Sequence, residues 1–186
     1  MKRILLLLVL VSVSPLAFAD SFTIDFEQYS GFTQITNQYA AEDATFTNAL
    51  QLVAPDYDYF DYPPHSGSGV ITNDPNDPII VDFSTTVMDV TGWYSDPDGV
   101  TVTAYDSMGN VLAIFNGATV PGADSEFTLD PDAYISSITI SDVGGSPDNL
   151  IADDLSFTET PEPSSLLLLG TGVLGLVGTM RRKLRR

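Results

Sequence analysis

Carboxylates, one imidazole and a run of aromatic rings are the groups through which this 186-residue chain could do chemistry. His65 is its only histidine, it has no cysteine, and its seven Lys and Arg are Lys2, Arg3, Arg181, Arg182, Lys183, Arg185 and Arg186. The stretch from Asp20 to Thr160 therefore contains no Lys or Arg, while it holds 24 of the 25 acidic residues, all but Glu162. Catalysis needs a positioned acid, base or nucleophile, and an anionic transition state needs a cation or donor array beside it. A Ser-His-Asp hydrolase would have to use His65, but Gly67-Ser68-Gly69 does not fit the Gly-x-Ser-x-Gly elbow. One histidine without cysteine cannot build the usual nitrogen or sulfur ligand set of zinc. The alternative enzymatic reading is a carboxylate-dependent glycan hydrolase, which requires two acids about 5 to 9.5 Å apart. With so many acids such pairs arise by chance, and the chain reads as a non-enzymatic binder or structural element.

The loop from Pro55 to Gly69 has the most distinctive composition, with Tyr57, Tyr59, Phe60 and Tyr62 interleaved with Asp56, Asp58 and Asp61. Aromatic faces stack on sugar C–H surfaces, and neighbouring carboxylates accept hydroxyl hydrogen bonds. Tyr57, Tyr59, Tyr62 and the single tryptophan, Trp93, are thus candidate glycan contacts. Equally, these rings could cover the end of a core.

Rings and acids need a scaffold, and the pattern supplies strands. Short runs rich in Val, Ile, Thr and aromatics lie at Phe22–Glu27, Ile79–Phe83, Val87–Tyr94, Val100–Tyr105, Val111–Phe115, Ile135–Ile140 and Leu150–Phe157. Turn residues separate them, as at Asp96-Pro97-Asp98-Gly99 and Gly144-Gly145-Ser146-Pro147. Val100, Val102 and Ala104 alternate with Thr101, Thr103 and Tyr105, the signature of a strand with one buried face. Residues 107–110 read as a hairpin turn. The expected fold class is all-β, an antiparallel β-sandwich of jelly-roll type spanning residues 20–158. Asp96 and Asp98 suit turn chemistry, with a second cation site as the other reading.

An opening Asp25-Phe26-Glu27 and a closing Ile151-Ala152-Asp153-Asp154-Leu155-Ser156-Phe157 resemble MAM-like and carbohydrate-binding-module-like jelly rolls. The chain departs from MAM domains in having no cysteines. The resemblance implies that the first and last strands run side by side and that their carboxylates can hold a structural calcium ion. Asp25, Glu27, Asp153 and Asp154 are its candidate ligands. Hard Ca²⁺ takes six to eight oxygens, and several acids on adjacent strands would supply some of them while the ion relieves their repulsion. The simpler reading leaves Asp153 and Asp154 as solvated strand-end residues.

Both ends read as processing segments. Residues 1–19 have a basic start, an apolar run from Ile4 to Val13 and a small-residue Ala17-Phe18-Ala19 exit, the layout of a secretory signal peptide cut by signal peptidase. At the other end, Pro161-Glu162-Pro163 precedes an apolar segment, expected as a transmembrane helix over 164–180, and a basic tail at 181–186 that favours the cytoplasmic side. This order over residues 159–186 resembles the PEP-CTERM sorting signal of Gram-negative bacteria that secrete exopolysaccharide. The resemblance implies that an exosortase recognises Pro161, Glu162 and Pro163 and removes the tail. The protein would then engage the inner membrane only transiently and end in the cell envelope or outside it, beside exopolysaccharide. A plain membrane anchor with a rigid Pro-Glu-Pro linker is the other reading. Nucleic acid is excluded as a partner, because a domain of acids without bases repels phosphate.

Overall fold

The computed structural model describes residues 19–73, 77–96, 98–117, 124–143 and 150–160, with Gly170, Gly172 and Gly175. Eleven strands follow one another: β1 (Ser21–Ile24), β2 (Thr33–Ile35), β3 (Ala44–Thr47), β4 (Ala49–Val53), β5 (Gly69–Asn73), β6 (Ile79–Ser95), β7 (Val100–Tyr105), β8 (Val111–Asn116), β9 (Ser125–Leu129), β10 (Ile135–Asp142) and β11 (Ile151–Glu159). All their pairings are antiparallel. The β unit runs from Asp20 to Thr160.

The 17-residue β6 organises the fold. Its first half pairs with β3 and β10, its second half with β9 and β11. Buried positions fall on Ile79, Val81, Phe83 and Val87, then on Val90, Gly92 and Tyr94. Side chains alternate faces with a period of two, so this change of parity lets one strand leave one layer and enter the other while always turning apolar residues inward. One layer is β3-β6-β10-β7-β8; the other is β2-β4-β5-β11-β6-β9, with β1 beside β11. Rings close the space between layers: Phe83 meets Phe157 at 4.8 Å between centroids, and Phe115 meets Phe127 at 6.2 Å.

All seven expected strands are present, but Ile79–Phe83 and Val87–Tyr94 are parts of one continuous β6. The strands β2, β3, β4, β5 and β9 were not anticipated by the sequence pattern. The turn after β7 is built by Asp106, whose Oδ1 accepts the amides of Met108 and Asn110 at 2.8 and 2.9 Å. Gly109 there has φ of 79°, which glycine adopts without a Cβ clash. The expected leader at 1–19, apart from Ala19, and Pro161, Glu162 and Pro163 lie outside the described residues. So does most of the expected helix at 164–180; Gly170, Gly172 and Gly175 have helical backbone. Among the described residues no helix is long and apolar enough to cross a membrane.

Candidate functional site

The Asp25-Phe26-Glu27 turn begins where β1 ends. Phe26 is fully buried with φ of 53°, a left-handed conformation that a bulky residue adopts only when its surroundings hold it. Asp25 Oδ1 accepts the Glu27 amide at 3.2 Å, fixing the turn. Glu27 Oε1 then accepts the amides of Ser68 at 2.7 Å and Gly69 at 2.5 Å. Gly69 is required here, because a Cβ would strike the Phe26 carbonyl. β1 and β5 both lie along β11, which brings Glu27 to the start of β5.

The last strand holds the same loop from its other side. Between Asp153 and Ser156 the β11 register shifts, and Asp154 sits at the shift with φ of 44°. Asp153 Oδ2 accepts the Ser66 amide at 3.0 Å and Oδ1 accepts the Asp154 amide at 2.8 Å. Asp154 Oδ1 accepts the Ser66 hydroxyl at 3.1 Å. Burial to 3% exposure pushes the Asp153 carboxyl up to about 6, against the opposing pull of these amides. Acids from the turn after β1 and from β11 therefore fasten residues 66–69 through charge-assisted bonds to backbone amides, which are stronger than neutral ones.

Aromatic groups sort into support and surface. The His65 ring stacks on Trp93 at 3.6 Å and 8° between planes, while its Nδ1 bonds Asp124 Oδ2 at 2.5 Å. Trp93 thus has one ring face covered. The Tyr57 hydroxyl is buried without a partner, and its pKa is pushed up to about 12 by burial and then by the charges of Asp153 and Glu27. Burial, followed by Asp61, Asp96 and other acids, also raises Tyr62. Tyr59 is different: it stacks with Phe60 at 4.4 Å and 29°, and Phe60 is 79% exposed. Asp58 and Asp61 flank this pair and are exposed.

Asp25, Glu27, Asp153 and Asp154 are thus brought to one loop, directly or through the turn. They accept amides and hydroxyls, Asp154 Oδ2 also lies 3.9 Å from His65 Nε2, and among the described residues no three His, Asp or Glu gather closely enough to hold a metal ion. Of the four aromatic candidates, Tyr59 stands at the surface pair, whereas Tyr57 and Trp93 support the loop. Sequence reasoning missed Phe60, although it lies inside the aromatic run, and missed the His65–Asp124 pair, for which a 59-residue separation leaves no local signal. The hydroxyls of Ser66 and Ser68 donate to Asp154 and Glu27.

A different kind of segment begins at the last residue of β11. Residues 159–183 carry a PEP-CTERM protein-sorting motif. PEP-CTERM sorting makes this an exported protein of the cell envelope or extracellular space, with an exosortase-type system as its processing partner. No curated protein sequence matches the chain. Among solved structures, the K2 cleaved adhesin domain of Lys-gingipain is similar, with a TM-score of 0.51 and 15% identity over 74% of this chain and 99% of that one. A family 29 carbohydrate-binding module is matched at TM-score 0.45 and 14% identity over 75% of this chain and 92% of that one. An arabinose-bound α-L-arabinofuranosidase is matched at 0.47 and 15% over 72% of this chain and 25% of that one. At such identities the likeness to the adhesin domain concerns the β-sandwich fold alone.

Proposed function

We propose that this exported PEP-CTERM protein is a non-enzymatic surface or matrix component that binds a glycan through the loop between β4 and β5 and associates with exopolysaccharide. The observation that carries the reading is the stacked Tyr59–Phe60 pair, standing out of an acid-fastened loop between exposed Asp58 and Asp61. A paired aromatic surface can stack on sugar faces, and the adjacent carboxylates can accept hydroxyls. Glycan arrays probed with the purified protein, with and without calcium, test this. Tyr59→Ala with Phe60→Ala is expected to weaken the best ligand about tenfold or more, since aromatic stacking is worth about 1 kcal/mol per ring. Unchanged binding in that variant would remove the loop from the proposal.

A glycan hydrolase would draw on Asp153, whose raised pKa is the ordinary sign of a general acid. Its two oxygens already accept backbone amides, and it is almost fully buried, so a glycosidic oxygen has no route to it. Calcium at Asp25, Glu27, Asp153 and Asp154 would have to share oxygens with those amides. It is proposed as a separate site, whose loss in Asp153→Asn with Asp154→Asn would lower the calcium stoichiometry by one.

Processing is tested separately. Protein extracted from its native cells is expected to have lost residues 1–19 and the basic tail, and Glu162→Ala is expected to retain the tail while the sandwich stays folded. Intact-mass analysis reads both. A wild-type mass that still includes residues 181–186 would indicate a permanent anchor.

A further inference from the structure

The turn between β6 and β7 carries a second group of acids that the loop clamp does not use. Asp96 follows the last residue of β6 and is 0% exposed. Its Oδ1 accepts the amides of Asp98 at 2.8 Å and Gly99 at 3.0 Å, whereas its Oδ2 is buried with no hydrogen-bond partner. Val100, the next residue, is paired in register with Asp142 of β10, and the Gly99 carbonyl accepts the Val143 amide at 2.9 Å. The Asp142 carboxylate therefore belongs to the strand end that faces this turn, and its charge raises Asp96 further after burial has done so. An ionised oxygen removed from water without a donor is costly, and a second carboxylate beside it makes it costlier. The domain has no Lys or Arg to compensate, and its one histidine is engaged with Asp124.

No Lys or Arg of the domain is there to meet the charge on Asp96 Oδ2. We propose that Asp96 Oδ2 and the Asp142 carboxylate bind a hard divalent cation, calcium or magnesium, at the β6–β7 turn. Two carboxylates supply part of an oxygen shell that water completes, an arrangement suited to both ions. Because Oδ1 is committed to the turn's amides, the site is preformed: the cation takes the oxygen that the fold leaves over. The competing occupant is a proton shared by the two acids, and the experiment separates them.

Full-length protein, stripped with EDTA and dialysed, would be titrated calorimetrically with CaCl₂ and with MgCl₂ at pH 7.5. Terbium luminescence sensitised by nearby Tyr62 and Tyr94 would provide a second readout. Saturable binding is expected, weakened at least tenfold by Asp96→Asn and by Asp142→Asn. Asp96→Asn keeps Oδ1 for the turn's amides and removes only the charge; if it fails to fold, Asp142→Asn decides alone. Asp153→Asn with Asp154→Asn is expected to leave this binding unchanged. Binding lost only in that double variant would place the ion at the terminal acids instead. No saturable binding, or binding by Asp96→Asn and Asp142→Asn as tight as that of wild type, overturns the proposal, as does an Asp96→Asn protein more stable than wild type at every cation concentration. None of these outcomes depends on Tyr59 or Phe60, so failure here is distinguishable from failure of the glycan reading.

Discussion

Raising the pH from 5 to 8 in EDTA is expected to lower the thermal midpoint of the protein by about 10 °C. Asp96 and Asp153 are buried acids pushed from 3.8 to about 6 in the folded state. Below their unfolded value both states are protonated and the shift contributes nothing against folding. As the pH rises from about 4 through about 6, the folded protein holds those protons more tightly than the unfolded chain, so each step upward favours unfolding. A shift of that size corresponds to on the order of 3 kcal/mol per group once both states are ionised. Repulsion among the remaining acids acts in the same direction and is screened by salt, so NaCl should recover part of the loss at pH 8. Calorimetric melts at matched ionic strength measure this. Asp96→Asn and Asp153→Asn should each remove part of the slope, and saturating CaCl₂ should remove the part due to Asp96. A midpoint that is flat or rises between pH 5 and 8 would show that neither acid is held at the raised value.

The largest single-site loss is expected where β6 meets β9. Gly92 pairs with Phe127, and a Cβ on Gly92 would lie 2.6 Å from the end of the fully buried Phe127 ring. The ring occupies the space that the missing side chain leaves. Phe127→Ala should cost about 3 to 5 kcal/mol through lost burial and an unfilled cavity. Gly92→Ala should cost about 1 to 3 kcal/mol through overpacking. The double substitution removes the clash along with the ring, so it should be less damaging than the two losses added, by at least about 1 kcal/mol. Urea unfolding of the four proteins gives the cycle. Strict additivity would mean that the ring swings away from Gly92 at no cost.

The strands legible in the sequence are those with several β-branched or aromatic residues in alternation, and β7 matches its expected bounds of Val100–Tyr105. The missed strands carry weaker signals for identifiable reasons. β2 has three residues, and β4 buries Gln51, whose amide donates to the Phe26 and Tyr29 carbonyls and so stands where a polar residue reads as surface. β5 is buried at all five positions, including Thr72 and Asn73, and shows no alternation. The break between Phe83 and Val87 misled because it marks a strand changing layers, which looks in sequence like a turn. At the site, the terminal acids were legible from their short motifs, but their partners were not. Ser66, Ser68 and Gly69 engage through backbone amides, which every residue type except proline offers.

The position of β11 also decides when its layer can be completed. It is the last strand in sequence but lies inside its layer, between β6 on one side and β1 and β5 on the other. A polypeptide that crosses a membrane amino end first delivers β1, β5 and β6 without the strand that joins them. Until residues 151–159 emerge, that layer is divided, with β2-β4-β5 and β6-β9 as separate fragments and β1 unpaired. Closure pairs Ser21 with Thr158 and Ile24 with Leu155, contacts between opposite ends of the domain that cannot form early. That layer therefore cannot be completed before the carboxyl end of the domain is available. Just before Pro161, the Thr160 amide still donates to the Thr86 carbonyl. A cut beyond Thr160 would release a finished domain, whereas one inside β11 would reopen it.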